Sequence, residues 1–281
     1  MKLLVASSVA SSVASSVAFS AVSCSVSLGA LTGCLTAEDP PALADTEQAV
    51  TTPFVTSHTC PSGSCLNQVI SGSGASVCFF TEIDGDLAHG GSARIHKGFG
   101  SVWFLDLLSP SNNDLKVVTA CIALRSGNAP TLVNWSSQSQ SDPVFHGTAS
   151  SRCFLSEVTA NNTSAFLGFD TSFVIANQQP GPFDYRVLGV FPSGANVAVG
   201  MECFGAPSLL AGLAYGNGTP SPVNGTLVTN DLAQNVVCGL TGLGGVFSTP
   251  STSDGVRTYR SGTAWGWEAS AWKGIWGQCV Q

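Results

Sequence analysis

Charge is scarce in this chain. Only 10% of its 281 residues are Asp, Glu, Lys or Arg, and just 10 are basic. Helices usually carry Glu and Lys on their exposed faces, so this scarcity argues against a helical fold. No Lys/Arg cluster is available to neutralise phosphates, which argues against nucleic acid as a partner. The chain has no P-loop, no Gly-x-Gly-x-x-Gly and no His-Glu-x-x-His motif. It also lacks the Gly-x-Ser-x-Gly nucleophile turn. No cofactor is expected, and enzyme activity is the minority reading.

What is present begins with an export signal. Residues 1–33 carry one charge, Lys2, followed by Leu, Val and Ala diluted with Ser. A basic start, an apolar run and small residues read as a secretory signal. The run is long enough to cross a bilayer, but no basic stop-transfer cluster follows it. Leu31-Thr32-Gly33-Cys34 ends this run. These four residues resemble the lipobox of bacterial lipoproteins. The resemblance implies cleavage before Cys34, lipidation of that cysteine and a membrane partner through the acyl chains, since several chains anchor stably where one does not. Leu35 in place of Asp implies the outer membrane; the alternative is plain secretion.

Residues 34–59 read as a solvated tether. Glu38, Asp39, Asp45 and Glu47 lie there with Pro40 and Pro41 and no Lys or Arg. Beyond it, about 220 residues are enough for a sizeable core or several small ones. Abundant Gly, Ser, Thr, Val and Asn favour an all-β fold with many turns.

The chain has ten cysteines. That many suits an oxidising compartment. Setting aside Cys24 in the signal and Cys34 at the lipobox leaves eight, an even number as a fully oxidised exported domain needs. Their contexts repeat. "CFFTEI" from Cys78, "CFLSEV" from Cys153 and "CGLTGL" from Cys238 share an apolar residue at +2, a hydroxyl at +3 and an apolar residue at +5. The +2 and +5 positions have opposite strand parity, so a turn or bulge between them is expected to bring both to one core. Each unit closes on a second cysteine, giving the pairs Cys78–Cys121, Cys153–Cys203 and Cys238–Cys279; Cys60 and Cys65 remain for a small loop. Self-similarity at this interval predicts three disulfide-bridged modules, 60–125, 126–207 and 208–281. They are expected either as small β-sandwich-like beads or in a pseudo-threefold arrangement. The stretches 122–152 and 204–237 read as long loops with short strands. Loss of one bridge is expected to unfold its own unit first. The pattern resembles Cys-paired β-rich repeats of secreted bacterial proteins, which implies tandem modules and no particular chemistry.

Candidate site residues are few. Glu82, Asp84 and Asp86 surround a glycine as calcium ligands do, but EF-hand spacing is absent and the other units lack the acids, so they read as a solvated turn. His89 and His96 read as surface histidines rather than zinc ligands. Near the C-terminus Trp265, Trp267, Trp272 and Trp276 cluster. Exposed indoles stack on sugar rings, with Glu268 nearby to fix hydroxyls; the alternative is that they cover the Cys238–Cys279 bridge. The sequence thus suggests a lipid-anchored envelope binding or adhesion protein with a glycan or cell-surface ligand. A secreted hydrolase and a structural envelope protein are the alternatives.

Overall fold

A computed structural model of the chain describes residues 53–281, apart from 72–76, 110–112, 125–128, 139–141, 147–150, 161–164, 167–172, 179–183, 206–208, 216–219, 229–235, 249–250, 252 and 281. The signal, the lipobox with Cys34 and most of the tether lie outside the described residues.

The described residues are all-β, with one short 3₁₀ turn at Phe99–Ser101. The first six strands are β1 (Phe54–Cys60), β2 (Gly63–Ser71), β3 (Val77–Gly85), β4 (Ser92–Lys97), β5 (Trp103–Ser109) and β6 (Leu115–Ile122). The next six are β7 (Thr131–Ser136), β8 (Val144–His146), β9 (Ser151–Ala160), β10 (Phe173–Gln178), β11 (Asp184–Val190) and β12 (Val197–Gly205). The last six are β13 (Leu209–Tyr215), β14 (Val223–Val228), β15 (Val237–Gly245), β16 (Gly255–Ser261), β17 (Ala264–Ala269) and β18 (Lys273–Val280). Residues 54–59, expected in the tether, belong instead to β1, which pairs along β6 from Phe54–Cys121 to Cys60–Leu115. The tether's acids all lie at or before Glu47, whereas "FVTSHT" has the β-branched, low-charge composition of a strand.

The strands form three six-stranded sheets: β1-β6-β3-β16-β17-β14, β7-β12-β9-β4-β5-β2 and β13-β18-β15-β10-β11-β8. No sheet is built from one six-strand set alone. Each takes its first three strands from one set and its last three from another, in the same order every time. The seams between sets are short. Three residue pairs join β3 to β16, three join β9 to β4 and three join β15 to β10.

The disulfides are Cys60–Cys65, Cys78–Cys121, Cys153–Cys203 and Cys238–Cys279. The last three link residues directly opposite one another on antiparallel neighbours, with Cα atoms 4.1, 4.0 and 4.0 Å apart. The expected irregularity also occurs at the +3 hydroxyl. The registers jump from Phe80 to Glu82, from Leu155 to Glu157 and from Leu240 to Gly242, leaving Thr81, Ser156 and Thr241 without a cross-strand partner. One extra residue restores parity, so Phe80 with Ile83, Leu155 with Val158, and Leu240 with Leu243 all enter one large core.

The opposite face behaves differently along its length. Beside the cysteines it is buried by a second cluster that includes Phe79, Phe154, Phe204 and Val237. Phe79 stacks on Phe154 with ring centroids 4.4 Å apart. In the third unit the residue directly after the first cysteine is Gly239, where an added Cβ would lie 2.5 Å from the Phe79 ring and 2.7 Å from the Phe154 ring. The centre holds two phenyl rings, and glycine accommodates them. Beyond the bulges this face opens toward solvent and carries polar residues, which is where a ligand site can form.

Candidate functional site

Across the open face, cross-strand register aligns one row of residues in each sheet. In the first sheet the row runs Ser57, Val118, Glu82, Arg257, Glu268, Asn224. In the second it runs Asn134, Gly200, Glu157, Arg94, Asp106. The third has Ala214, Trp276, Gly242, Ile175 and Leu188 at these positions and no charge. Opposite charges facing one another across strands stabilise a sheet modestly. Arg257 Nη2 lies 2.5 Å from Glu268 Oε2, and Arg94 Nε 3.4 Å from Glu157 Oε2.

One position separates these rows. The residue three before each closing cysteine is Val118, Gly200 or Trp276. The side chains of Val118 and Trp276 are half-buried on the open face. Gly200 is itself buried, with Glu157, Asn134 and Leu132 closing over it; these three, with Arg94, Pro143 and others, line a groove of about 520 Å³. A Cβ at Gly200 would sit 3.0 Å from Glu157 Cβ and 3.3 Å from both Asn134 Oδ1 and Leu132 Cδ1. The groove wall is fixed from behind. Trp135 Nε1 donates to Asp142 Oδ1 at 3.0 Å, Arg186 Nη2 donates to Asp142 Oδ2 at 2.7 Å, and Val187 N–H donates to the Pro143 carbonyl at 3.2 Å. The groove therefore presents an exposed guanidinium, a half-buried carboxylate, an exposed amide and the apolar Leu132, which is 47% exposed.

The tryptophans take other places. Trp265 is buried, and its Nε1 donates to the Val236 carbonyl at 3.0 Å. Trp267 packs partly buried against the main core and covers Gly225, where a Cβ would meet its Nε1 at 2.5 Å. Glu268 follows Trp267 along β17, points to the opposite face and is bound to Arg257. The sequence-predicted pairing of Trp265 and Trp267 with Glu268 is thus not assembled on one surface. Trp272 is half exposed in the turn before β18, at φ 61°.

Glu82 and Asp84 are not a solvated turn. Both are buried on β3 and both reach Lys116 Nζ on β6, Asp84 Oδ2 at 3.4 Å. Burial raises the Asp84 pKa to about 8, and the neighbouring Glu82 reinforces the rise against Lys116. Burial acts on Glu82 as well, but hydrogen bonds with Asp84 and Lys116 and the charges of Lys116 and Arg257 outweigh it and hold Glu82 below the ordinary range. The shared site thus drives the two carboxyls apart, Asp84 above the ordinary carboxylate range and Glu82 below it. Glycoside hydrolysis needs two carboxyls about 5–9.5 Å apart around a scissile bond; these two are hydrogen-bonded to each other. Asp86 stands apart, accepting from Asn113 Nδ2 and lying 2.6 Å from His89 Nδ1. His96 instead pairs with Asp106, at 3.1 Å. Among the described residues no group of three or more His, Cys, Asp or Glu is placed to hold a metal ion.

Sequence reasoning therefore missed Arg94, Leu132, Asn134 and Glu157, which come from three strands that no local pattern joins. No protein-family model matches the chain, and no curated protein matches it.

Proposed function

We propose that this is an exported, lipid-anchored envelope protein that binds a saccharide and performs no chemistry on it. The observation that carries the reading is the open groove of about 520 Å³ on the second sheet, where Arg94, Asn134 and Glu157 stand beside the apolar Leu132 and Pro143. Small-molecule sites typically span about 300–1,000 Å³ and combine apolar walls with a few convergent polar groups. The four disulfides support export, because such bridges persist in oxidising compartments. The Leu31–Cys34 lipobox supports a lipid anchor on Cys34, with residues 35–53 as the spacer to β1.

Two measurements test this. Intact mass of the mature protein from a bacterial host should show a chain starting at an acylated Cys34; an unmodified residue at any other start removes the anchor. The oxidised mature chain should retain glycans on an array. Retention of none would remove saccharide binding and leave a structural envelope role as the better reading.

A further inference from the structure

We infer that Lys273 and Asp254 condense into an amide, a covalent bridge between side chains that come from the third sheet and the first. The inference is independent of the saccharide reading and concerns a different part of the fold.

Comparison of the three units is the first argument. The residue six before each closing cysteine opens the closing strand: Leu115 on β6, Val197 on β12 and Lys273 on β18. Leu115 and Val197 are fully buried in the main core. Lys273 takes the same place and is 2% exposed. The residue that precedes the seam strand changes with it. Gly91 stands before β4, whereas Asp254 stands before β16. The third unit thus puts a lysine where the others have an aliphatic residue, and an aspartate where the first unit has glycine. The two side chains meet: Lys273 Nζ lies 2.6 Å from Asp254 Oδ1 and 5.1 Å from the centre of the Phe247 ring. A buried ion pair is a poor source of stability, because taking both charges out of water offsets their attraction. Condensation removes both charges and keeps the connection.

Reactivity is the second argument. A lysine amine is a nucleophile once it loses its proton, and burial favours that loss. Burial holds the Lys273 amine below the ordinary lysine range, although its bond to Asp254 works the other way. The ion pair first passes one proton from the ammonium to the carboxylate. The neutral Nζ then attacks Asp254 Cγ; the N–C bond forms and a C–O bond breaks. A second proton from the nitrogen joins the departing hydroxyl, so amine and acid give one amide and one water, with no other reactant. Asp84 is an acid at hand for this exchange. Its carboxyl lies against Gly255, the residue after Asp254, and burial raises its pKa to about 8. Asp254, 24% exposed at its side chain, gives the water a way out. Holding amine and carboxyl together makes the step effectively unimolecular. Each long disulfide joins two strands of one sheet. The amide instead ties β18 of the third sheet to the start of β16 in the first, beside the short seam with β3.

The test is a peptide map. The oxidised mature chain is kept folded until its mass is constant, then denatured, reduced, alkylated and digested with trypsin, alongside Asp254→Ala and Lys273→Leu. Wild type should give a branched peptide joining the segment that holds Asp254 to the segment that holds Lys273. Its mass should be that of the two segments less one water, and trypsin should not cut after Lys273. Both variants should lack the branched peptide, and Asp254→Ala should be cut after Lys273. Lys273→Leu copies the residue found at Leu115. Should neither variant fold, fragment-ion sequencing of the wild-type branched peptide places the bond on the same two residues. An unbranched Lys273 peptide from folded wild type, cut as any free lysine is, overturns the inference. So does a branched peptide that persists in Asp254→Ala, or one whose fragments put the bond on another carboxyl. Glycan retention is a separate readout, and its failure leaves the amide standing.

Discussion

Cys153 and Cys203 stand directly opposite one another on neighbouring antiparallel strands, their Cα atoms 4.0 Å apart and their chain separation 50 residues. The bridge therefore adds little to the geometry of a pair already held by strand hydrogen bonds. Its effect lies mainly in the unfolded chain, where it forbids a long open loop. In the chain-entropy model such a loop corresponds to about 4 kcal/mol, against about 2 kcal/mol for the short Cys60–Cys65 loop.

Replacing Cys153 and Cys203 together with Ala should consequently cost about twice as much stability as the same change at Cys60 and Cys65. The sheets add a second expectation. Because β9 is joined to β4, and β10 to β15, loss of one long bridge should loosen strands of its neighbours too. Denaturant unfolding followed by fluorescence and by circular dichroism should give one coincident transition. Separate transitions for the three six-strand sets would match the sequence-based expectation that each unit fails alone, and would contradict the seams.

Acidity should act through β3. Asp84, with its pKa raised to about 8, binds a proton in the folded chain that the unfolded chain releases near pH 4. The folded state therefore holds more protons between those values, and stability falls as pH rises from about 4 to about 8. Glu202, buried and raised to about 7 despite Lys97, adds a slope of the same sign over the lower part of that window. Lys116, Arg257 and Lys273 all lie near enough to Asp84 to register its charge. Asp84→Asn mimics the protonated acid, so its melting temperature should vary less between pH 5 and pH 8 than that of wild type. An unchanged slope would show that Asp84 is ionised in the folded chain.

The tryptophans should separate by burial. Trp265→Ala removes a buried indole and its bond to the Val236 carbonyl, and should cost about 3–5 kcal/mol. Trp272→Ala should stay within about 0.5 kcal/mol of wild type. Trp272→Gly should be more stable than Trp272→Ala, since φ 61° suits glycine better than any residue with a Cβ. Thermal melts of the three variants check all of this; a stable Trp265→Ala chain would place that indole outside the core.

Much of the fold was legible because its signals are local. Three of the four cysteine pairs followed from recurring neighbours and Cys60–Cys65 from what remained, and the bulges at Thr81, Ser156 and Thr241 followed from a parity conflict within six residues. Strand exchange between sets was not legible. The β3–β16 seam joins Ile83 to Val256 across most of the folded chain through three residue pairs, and no local pattern announces it. The binding face was misread for a related reason. Trp265 and Trp267 drew attention as large aromatics, but alternation along β17 turns them to the buried side and Glu268 away from them. The groove instead draws Arg94 from β4, Asn134 from β7 and Glu157 from β9, strands that no local pattern brings together.

The most direct measurement is chemical-shift mapping of the mature oxidised chain with the saccharide that it retains best. Shifts are expected at the Arg94 side chain, the Asn134 side-chain amide and the Leu132 methyls, which line the groove, with the indole signals of Trp265, Trp267 and Trp272 unmoved. Shifts centred on Trp272 or on the Glu82–Lys116 cluster, with Arg94 and Asn134 silent, would contradict saccharide binding in the groove.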